Sequence, residues 1–171
     1  MFKKFYPTVY VLSAYTVDFS ELYNKGYRVL ILDVDNTLVE HGAPATDQAV
    51  AFFEKVHNIG WKTCILSNND EARIKPFADA VKSDYIFDAG KPKRSGYEKA
   101  MEMFDGNKNN TLFMGDQLFT DIYGANRTGI KSILVKPIKI DPQFFIRLKR
   151  LGERIVMPFY FAYAKRHPKS L

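Results

Sequence analysis

The sequence predicts an α/β fold, a three-layer doubly wound sheet of five parallel strands, and three observations carry this reading. From Tyr27 onward, short apolar β-branched runs alternate with longer segments of helical periodicity. Glycines stand where helical segments should stop. Polar, largely acidic residues close successive apolar runs, as expected where an open parallel sheet meets its ligand.

The elements follow in order from local pattern. Residues 1–26 are read as an arm flanking the sheet, 27–136 as a catalytic domain and 137–171 as a helical extension. Strands are expected over 27–34, 62–67, 85–88, 111–115 and 131–135. Crossover helices are expected over 46–58, 70–81, 93–104 and 119–128, the first with Val50, Phe53, Val56 and Ile59 at helical spacing. Gly60, Gly106 and Gly129 follow three of these helices in the position of a C-terminal cap. Asn69 or Asp70 offers an N-cap to the second.

At 171 residues, with 46% hydrophobic and 26% charged content, the chain can build one sizeable core. The single cysteine lies in the apolar run Thr63-Cys64-Ile65-Leu66 and reads as a core residue, which excludes an internal disulfide framework or a cysteine-based metal cluster. Residues 1–4 are basic, but Tyr6-Pro7-Thr8 follows, so no cleaved signal is expected. No run approaches the roughly 20 apolar residues that span a bilayer. A cytoplasmic, reducing setting is the expectation. The net charge of +6 is uneven: residues 131–171 hold 10 Lys/Arg against 2 Asp/Glu, whereas residues 1–130 hold 15 against 17. That asymmetry predicts an anionic partner, lipid or nucleic acid.

The residues closing the expected strands share a chemistry. Asp33 and Asp35 end the first, Ser67 and Asn68 the second, Asp88 with Lys91 just beyond it the third, and Asp116 the fourth. A carboxylate so placed can attack phosphorus, while a second one two residues on protonates the leaving oxygen and later takes a proton from water. Phosphoryl transfer is governed by charge and alignment, so a hard cation on oxygen ligands is needed as well. Asp33, Asp35 and Asp116 are candidate Mg2+ ligands, Lys91 a candidate charge stabiliser, and Ser67 with its neighbouring amides a phosphate cradle. Taken singly, each motif also has a structural reading: Asp33 to Asn36 as turn chemistry, Ser67 to Asp70 as a helix cap, Lys91 as a loop lysine.

Together, Asp33-Val34-Asp35-Asn36-Thr37, Ser67-Asn68-Asn69, Lys91-Pro92 and Gly115-Asp116-Gln117-Leu118-Phe119-Thr120-Asp121 resemble, in order, the four motifs of haloacid dehalogenase (HAD)-type phosphatases, over about residues 27–135. The resemblance implies a Mg2+-dependent phosphatase with Asp33 as nucleophile, Asp35 as general acid/base and Ser67, with Asn68, as phosphate binder. Lys91 becomes the charge stabiliser and Asp116 the metal ligand, with Asp121 supporting Lys91 or a metal-bound water. The short spacings from Asp35 to Ser67 and from Ser67 to Lys91 leave no room for a cap domain. A capless chain with this first motif resembles the subclass III enzymes that include phosphatidylglycerophosphate phosphatases. The heptose-bisphosphate branch, which carries a cysteine-rich zinc loop, is excluded by the lone Cys64. His41 falls where the family places a flap, whereas His57 and His167 read as surface residues.

In the extension, Asp141-Pro142 reads as a helix start, and Phe144, Leu148, Leu151 and Ile155 then share one helical face. Arg147, Lys149, Arg150 and Arg154 lie off it. Phe159, Tyr160, Phe161 and Tyr163 follow Pro158, a combination suited to an interfacial membrane segment. The competing reading packs the apolar face on the sheet or on a second copy of the chain and leaves the basic residues solvated. The expected substrate is a bulky phosphomonoester, phosphatidylglycerophosphate first. A soluble sugar phosphate, a nucleotide or nucleic-acid end, or a non-catalytic RNA-binding role are the rivals.

Overall fold

A computed structural model describes residues 2–140, 143–168 and 171. Among them one sheet holds six parallel strands: β1 Val9–Val11, β2 Val29–Leu32, β3 Lys62–Leu66, β4 Asp84–Ile86, β5 Thr111–Gly115 and β6 Lys131–Val135. Their order is β1-β6-β5-β2-β3-β4. The sheet thus has one strand more than the five expected. The addition, β1, comes from the segment read as an arm and pairs Val9 with Ile133 and Val11 with Val135. Its three residues are only half-buried, too short and too exposed for an alternating pattern to betray them.

Helices α1 Phe19–Asn24, α2 Asp47–Ile59 and α3 Glu71–Val81 cover one face of the sheet. The other is covered by α4 Arg94–Glu102 and α5 Tyr123–Thr128. Alternation along β2 distributes the core: Leu30 and Leu32 pack with Phe53, Val56 and Phe77, whereas Val29 and Ile31 pack with Tyr97, Ala100 and Ala125. All four strand residues are buried, each contributing roughly 1.5–3 kcal/mol of apolar transfer energy. Cys64 is buried in the same core, and burial pushes its thiol up to about 12. Trp61 is also a core residue, its indole N–H donating to the Phe19 carbonyl at 3.0 Å.

The helices begin and end for local reasons. Thr46 caps α2 by accepting the Ala49 N–H, and Asp70 caps α3 by accepting that of Arg73. Gly60 and Gly129 close α2 and α5 in the left-handed conformation. Gly106 was expected to do the same for α4 but does not. That helix stops at Glu102, and Asp105 takes the positive φ, +51°.

From β2 the chain runs to β3 and β4 on one side, then returns to lay β5 and β6 on the other. The direction of winding therefore reverses between β2 and β5, where loops diverge and open a crevice beyond the carboxyl ends of the strands. Asp33 follows β2 and Asp116 follows β5. A π-helical turn, Leu118–Ile122, then leads into α5.

The last helix, α6 Phe144–Arg166, continues through Pro158 instead of ending there. The expected start at Asp141-Pro142 lies outside the described residues. Its inner face contributes buried Val156 to a small cluster with Leu118, Ile122 and Leu134, and buries Tyr160 against Tyr6. Phe2, Tyr6 and Tyr10 meet Phe159, Tyr160 and Phe161 ring to ring. The face of Phe144, Leu148, Leu151, Ile155 and Phe159 is at least 55% exposed throughout, so it does not pack on the sheet.

Candidate active site

Asp33 leaves β2 with its N–H bonded to the Met114 carbonyl at 2.9 Å and its side chain almost entirely buried. Its Oδ1 meets the Lys91 ammonium at 2.6 Å, and the same ammonium lies 2.8 Å from Asp121 Oδ1. Burial drives the Asp33 carboxyl up to about 7, with Lys91 opposing and Asp121 reinforcing. Burial also works to discharge Lys91, but Asp121 and Asp33 outweigh it, so that the ammonium is held more firmly than in water.

Lys91 is fixed from behind. Its N–H donates to Asn68 Oδ1 at 2.7 Å, and Asn68 Nδ2 donates to its carbonyl at 3.1 Å. Asn68, expected as a substrate contact, thus spends its amide on the Lys91 loop, although it still lines the cleft. Ser67 is buried beside it, its Oγ accepting the Asn69 N–H at 3.1 Å. The hydroxyl proton of Ser67 can turn to an oxyanion in the cleft.

Asp116 closes β5, 1% exposed. Its Oδ1 accepts from Thr37 Oγ1 at 3.4 Å, and its Oδ2 is paired with Arg150 of α6. Burial raises this carboxyl well above the ordinary range, with Arg150 opposing. Asp121 comes back toward the strand end from the π-helical turn, its Oδ2 accepting the Gln117 N–H at 3.0 Å. Gly115 makes that approach possible, since a Cβ there would stand 2.5 Å from the Asp121 carboxylate.

One oxygen each of Asp33, Asp116 and Asp121 lie within 4.8 Å of one another, all three residues buried. Asp121 Oδ1 is paired with the Lys91 ammonium, and a carboxylate oxygen so paired still has a lone pair to offer a cation. A buried set of hard oxygen donors suits Mg2+ rather than a thiolate-seeking metal. Of the expected ligands, Asp33 and Asp116 bring their carboxylates together here, and Asp121 joins them. The Asp35 side chain stands apart from these three while still lining the cleft, its Oδ1 accepting from Arg73 Nη2 at 2.6 Å and the Gly42 N–H at 2.9 Å, its Oδ2 from Asn69 Nδ2 at 2.7 Å. The i, i+2 relation of a strand does not apply here, because β2 ends at Leu32 and Asp33 to Asp35 already belong to the turn that follows.

A cleft of about 220 Å³ opens over Asp33, Asp35, Ser67 and Lys91. His41 lines it, as do Gln143, Ile146 and Lys149 of the extension, so that α6 forms one wall. Two arginines at the site escaped the sequence reading. Arg73 sits on α3 among charged neighbours and carries no signal. Arg150 did carry one: Glu153, an acid in an otherwise basic stretch, lies three residues on and pairs with it at 2.9 Å.

Carboxylates at the switch point of a parallel α/β sheet, a buried lysine between two of them and a hydroxyl opposite define a phosphoryl-transfer hydrolase class. The comparisons agree. A HAD-hydrolase-like family model matches residues 88–138. "Probable phosphatase YqeG" of Bacillus subtilis is 35% identical over 92% of this chain and 92% of its own length. A chloroplastic/mitochondrial phosphatidylglycerophosphate phosphatase 1 of Arabidopsis thaliana is 23% identical over 84% of this chain but only 44% of its own. A Legionella pneumophila structure, described as a subfamily III A hydrolase of the HAD superfamily, superposes with a TM-score of 0.52 at 18% identity, covering 67% of this chain and 68% of that one. The chain belongs to the HAD-type phosphatases.

Proposed function

We propose that this phosphatase cleaves a lipid phosphomonoester of the phosphatidylglycerophosphate class, through an aspartyl-phosphate on Asp33. The observation that carries the chemistry is Asp33 itself, a carboxylate at the mouth of the cleft with the Lys91 ammonium 2.6 Å away. An Asp33 oxygen attacks phosphorus, and the bond to the leaving oxygen breaks. Asp35, on the same cleft, gives that oxygen a proton. A water then loses a proton to Asp35 and attacks the acyl-phosphate, releasing inorganic phosphate and restoring Asp33. Ser67 and Lys91 hold the oxygens that carry the developing charge. Asp33, Asp116 and Asp121 would hold a Mg2+, which when bound supplies positive charge to the phosphoryl oxygens.

For the substrate, the outward face of α6 supports a lipid. Arg147, Arg154, Lys165 and Arg166 are exposed around the bare apolar stripe. This pairing of apolar and basic surface complements an anionic bilayer, and each basic residue near such a surface is worth about 1 kcal/mol. The same helix walls the cleft, so docking would bring a headgroup phosphate to Asp33. Among the described residues no helix is long and apolar enough to cross a membrane. The Arabidopsis relative's name points to the same substrate.

Hydrolysis of p-nitrophenyl phosphate abolished by Asp33→Asn, with the fold intact by circular dichroism, is the expected result for the chemistry. Retained turnover would overturn it. For the substrate, kcat/KM on phosphatidylglycerophosphate in mixed micelles should exceed that on sugar phosphates and end-phosphorylated oligonucleotides. Preference for a soluble phosphate would retire the lipid reading.

A further inference from the structure

Arg150 lies far along the chain from every motif, yet it pairs directly with a carboxylate of the cluster. Its Nη2 pairs with Asp116 Oδ2, and its Nη1 bonds the Asp116 carbonyl at 2.6 Å. Glu153, one turn on, steadies the guanidinium at 2.9 Å and accepts the Leu118 N–H at 2.7 Å. Both side chains are largely buried although most of α6 is exposed. A Cβ on Gly152 would meet the Phe119 ring at 2.9 Å, so the helix approaches the π-helical turn as closely as a backbone can. These polar contacts and one small-residue contact, more than the apolar stripe, hold the first half of α6 against the site.

We propose that Arg150 is a tethered counter-ion that competes with a divalent cation for Asp116, so that metal binding and release of α6 are one event. The inference rests on the reading that the cluster takes a divalent cation. Asp116 is almost wholly buried, and a carboxylate so buried needs a positive partner. Lys91 is already committed to Asp33 and Asp121, which leaves Arg150 to serve Asp116. A divalent ion drawn to Asp116 would repel the guanidinium through a medium far less screening than water. One of the two must leave, and Arg150 can leave because it rides on a peripheral helix. Glu153 rides on the same helix, so its hydrogen bond from the Leu118 N–H would break as α6 moves. The cleft wall built from Gln143, Ile146 and Lys149 would move with it.

The test uses the full chain and Mn2+, whose free fraction is read by electron paramagnetic resonance. Arg150→Gln should bind Mn2+ at least about tenfold more tightly than the wild type, a difference of about 1.4 kcal/mol. Equal or weaker binding would overturn the proposal, because Arg150 would then be orienting the ligand instead of competing for it. If neither protein binds Mn2+, the cation reading itself fails and this one fails with it. A measurement that needs no substitution runs alongside: Mg2+ should accelerate amide exchange across residues 144–166 of the wild type. Exchange that is unchanged or slowed by Mg2+ would also overturn it.

Discussion

The ends of β2 and β5 and the length of α6 are built on opposite principles. At the strand ends, apolar neighbours on both faces of the sheet bury Asp33, Asp116 and Asp121, and the charges are tolerated because Lys91 and Arg150 stand among them. On α6, the apolar residues Phe144, Leu148, Leu151 and Ile155 face outward, and the charged pair Arg150 and Glu153 faces in. The first arrangement fixes a geometry by packing it solid. The second holds the first half of a helix by a few polar contacts, anchors its second half through Val156 and Tyr160, and leaves one apolar stripe uncovered.

The sharpest way to break that contrast is to remove a charge from the packed side. Lys91→Met leaves Asp33 and Asp121 buried without their cation, which should cost about 3–5 kcal/mol of stability in urea unfolding and lower p-nitrophenyl phosphate turnover about 10²–10³-fold. A stable variant would show that the cluster does not depend on Lys91. The pH response comes next. Burial raises Asp33 to about 7, so its contribution to the stability of metal-free protein is complete below the ordinary carboxylate pKa and lost as pH rises through about 7. The urea midpoint in EDTA should accordingly fall between about pH 5 and about pH 8, and saturating Mg2+ should flatten the curve. A midpoint that climbs through that interval would contradict the assignment.

A smaller effect probes the packing behind the site. A Cβ at position 124 would stand 2.3 Å from Tyr97 Oη, whose proton serves the Thr120 and Asp121 carbonyls. Gly124→Ala should therefore cost about 1–3 kcal/mol by overpacking, with turnover falling as Asp121 shifts. At the other extreme, Leu148→Glu with Ile155→Glu alters only exposed positions. Its stability should stay within about 0.5 kcal/mol of wild type and its turnover of p-nitrophenyl phosphate should be unchanged, while co-flotation with anionic vesicles disappears. Vesicle binding that survives the double substitution would assign the outer face to another partner.

What could be read in advance divides along the same line. Asp33, Ser67, Lys91 and Asp116 each follow an apolar run whose period locates the strand, and strand ends in a parallel sheet converge whatever the loops do. Pattern could not say that Asp35 would turn toward Arg73, because β2 ends at Leu32 and the partners that hold Asp35, Arg73 and Asn69, come from another segment of the chain. For α6 the period marked an apolar face correctly but not the direction it faces. Amphipathicity expects the apolar side to be covered, and here Arg150 and Glu153 hold the opposite side to the site. β1 was invisible for a different reason, being an edge strand of three half-buried residues whose partner lies far along the chain.

That distance matters for how the molecule is made. Thr8 and Ser132 are hydrogen-bonded at a separation of 124 residues, and the rings of Phe2, Tyr6 and Tyr10 find theirs on α6, later still. During synthesis at roughly 5–20 residues per second, β1 and its aromatic neighbours wait for several seconds with nothing to pair against. The β2–β3–β4 half can settle meanwhile, since its partners are close in sequence. Docking of β1 therefore comes only after the far end of the chain has been made, and it closes the longest loop in the sheet.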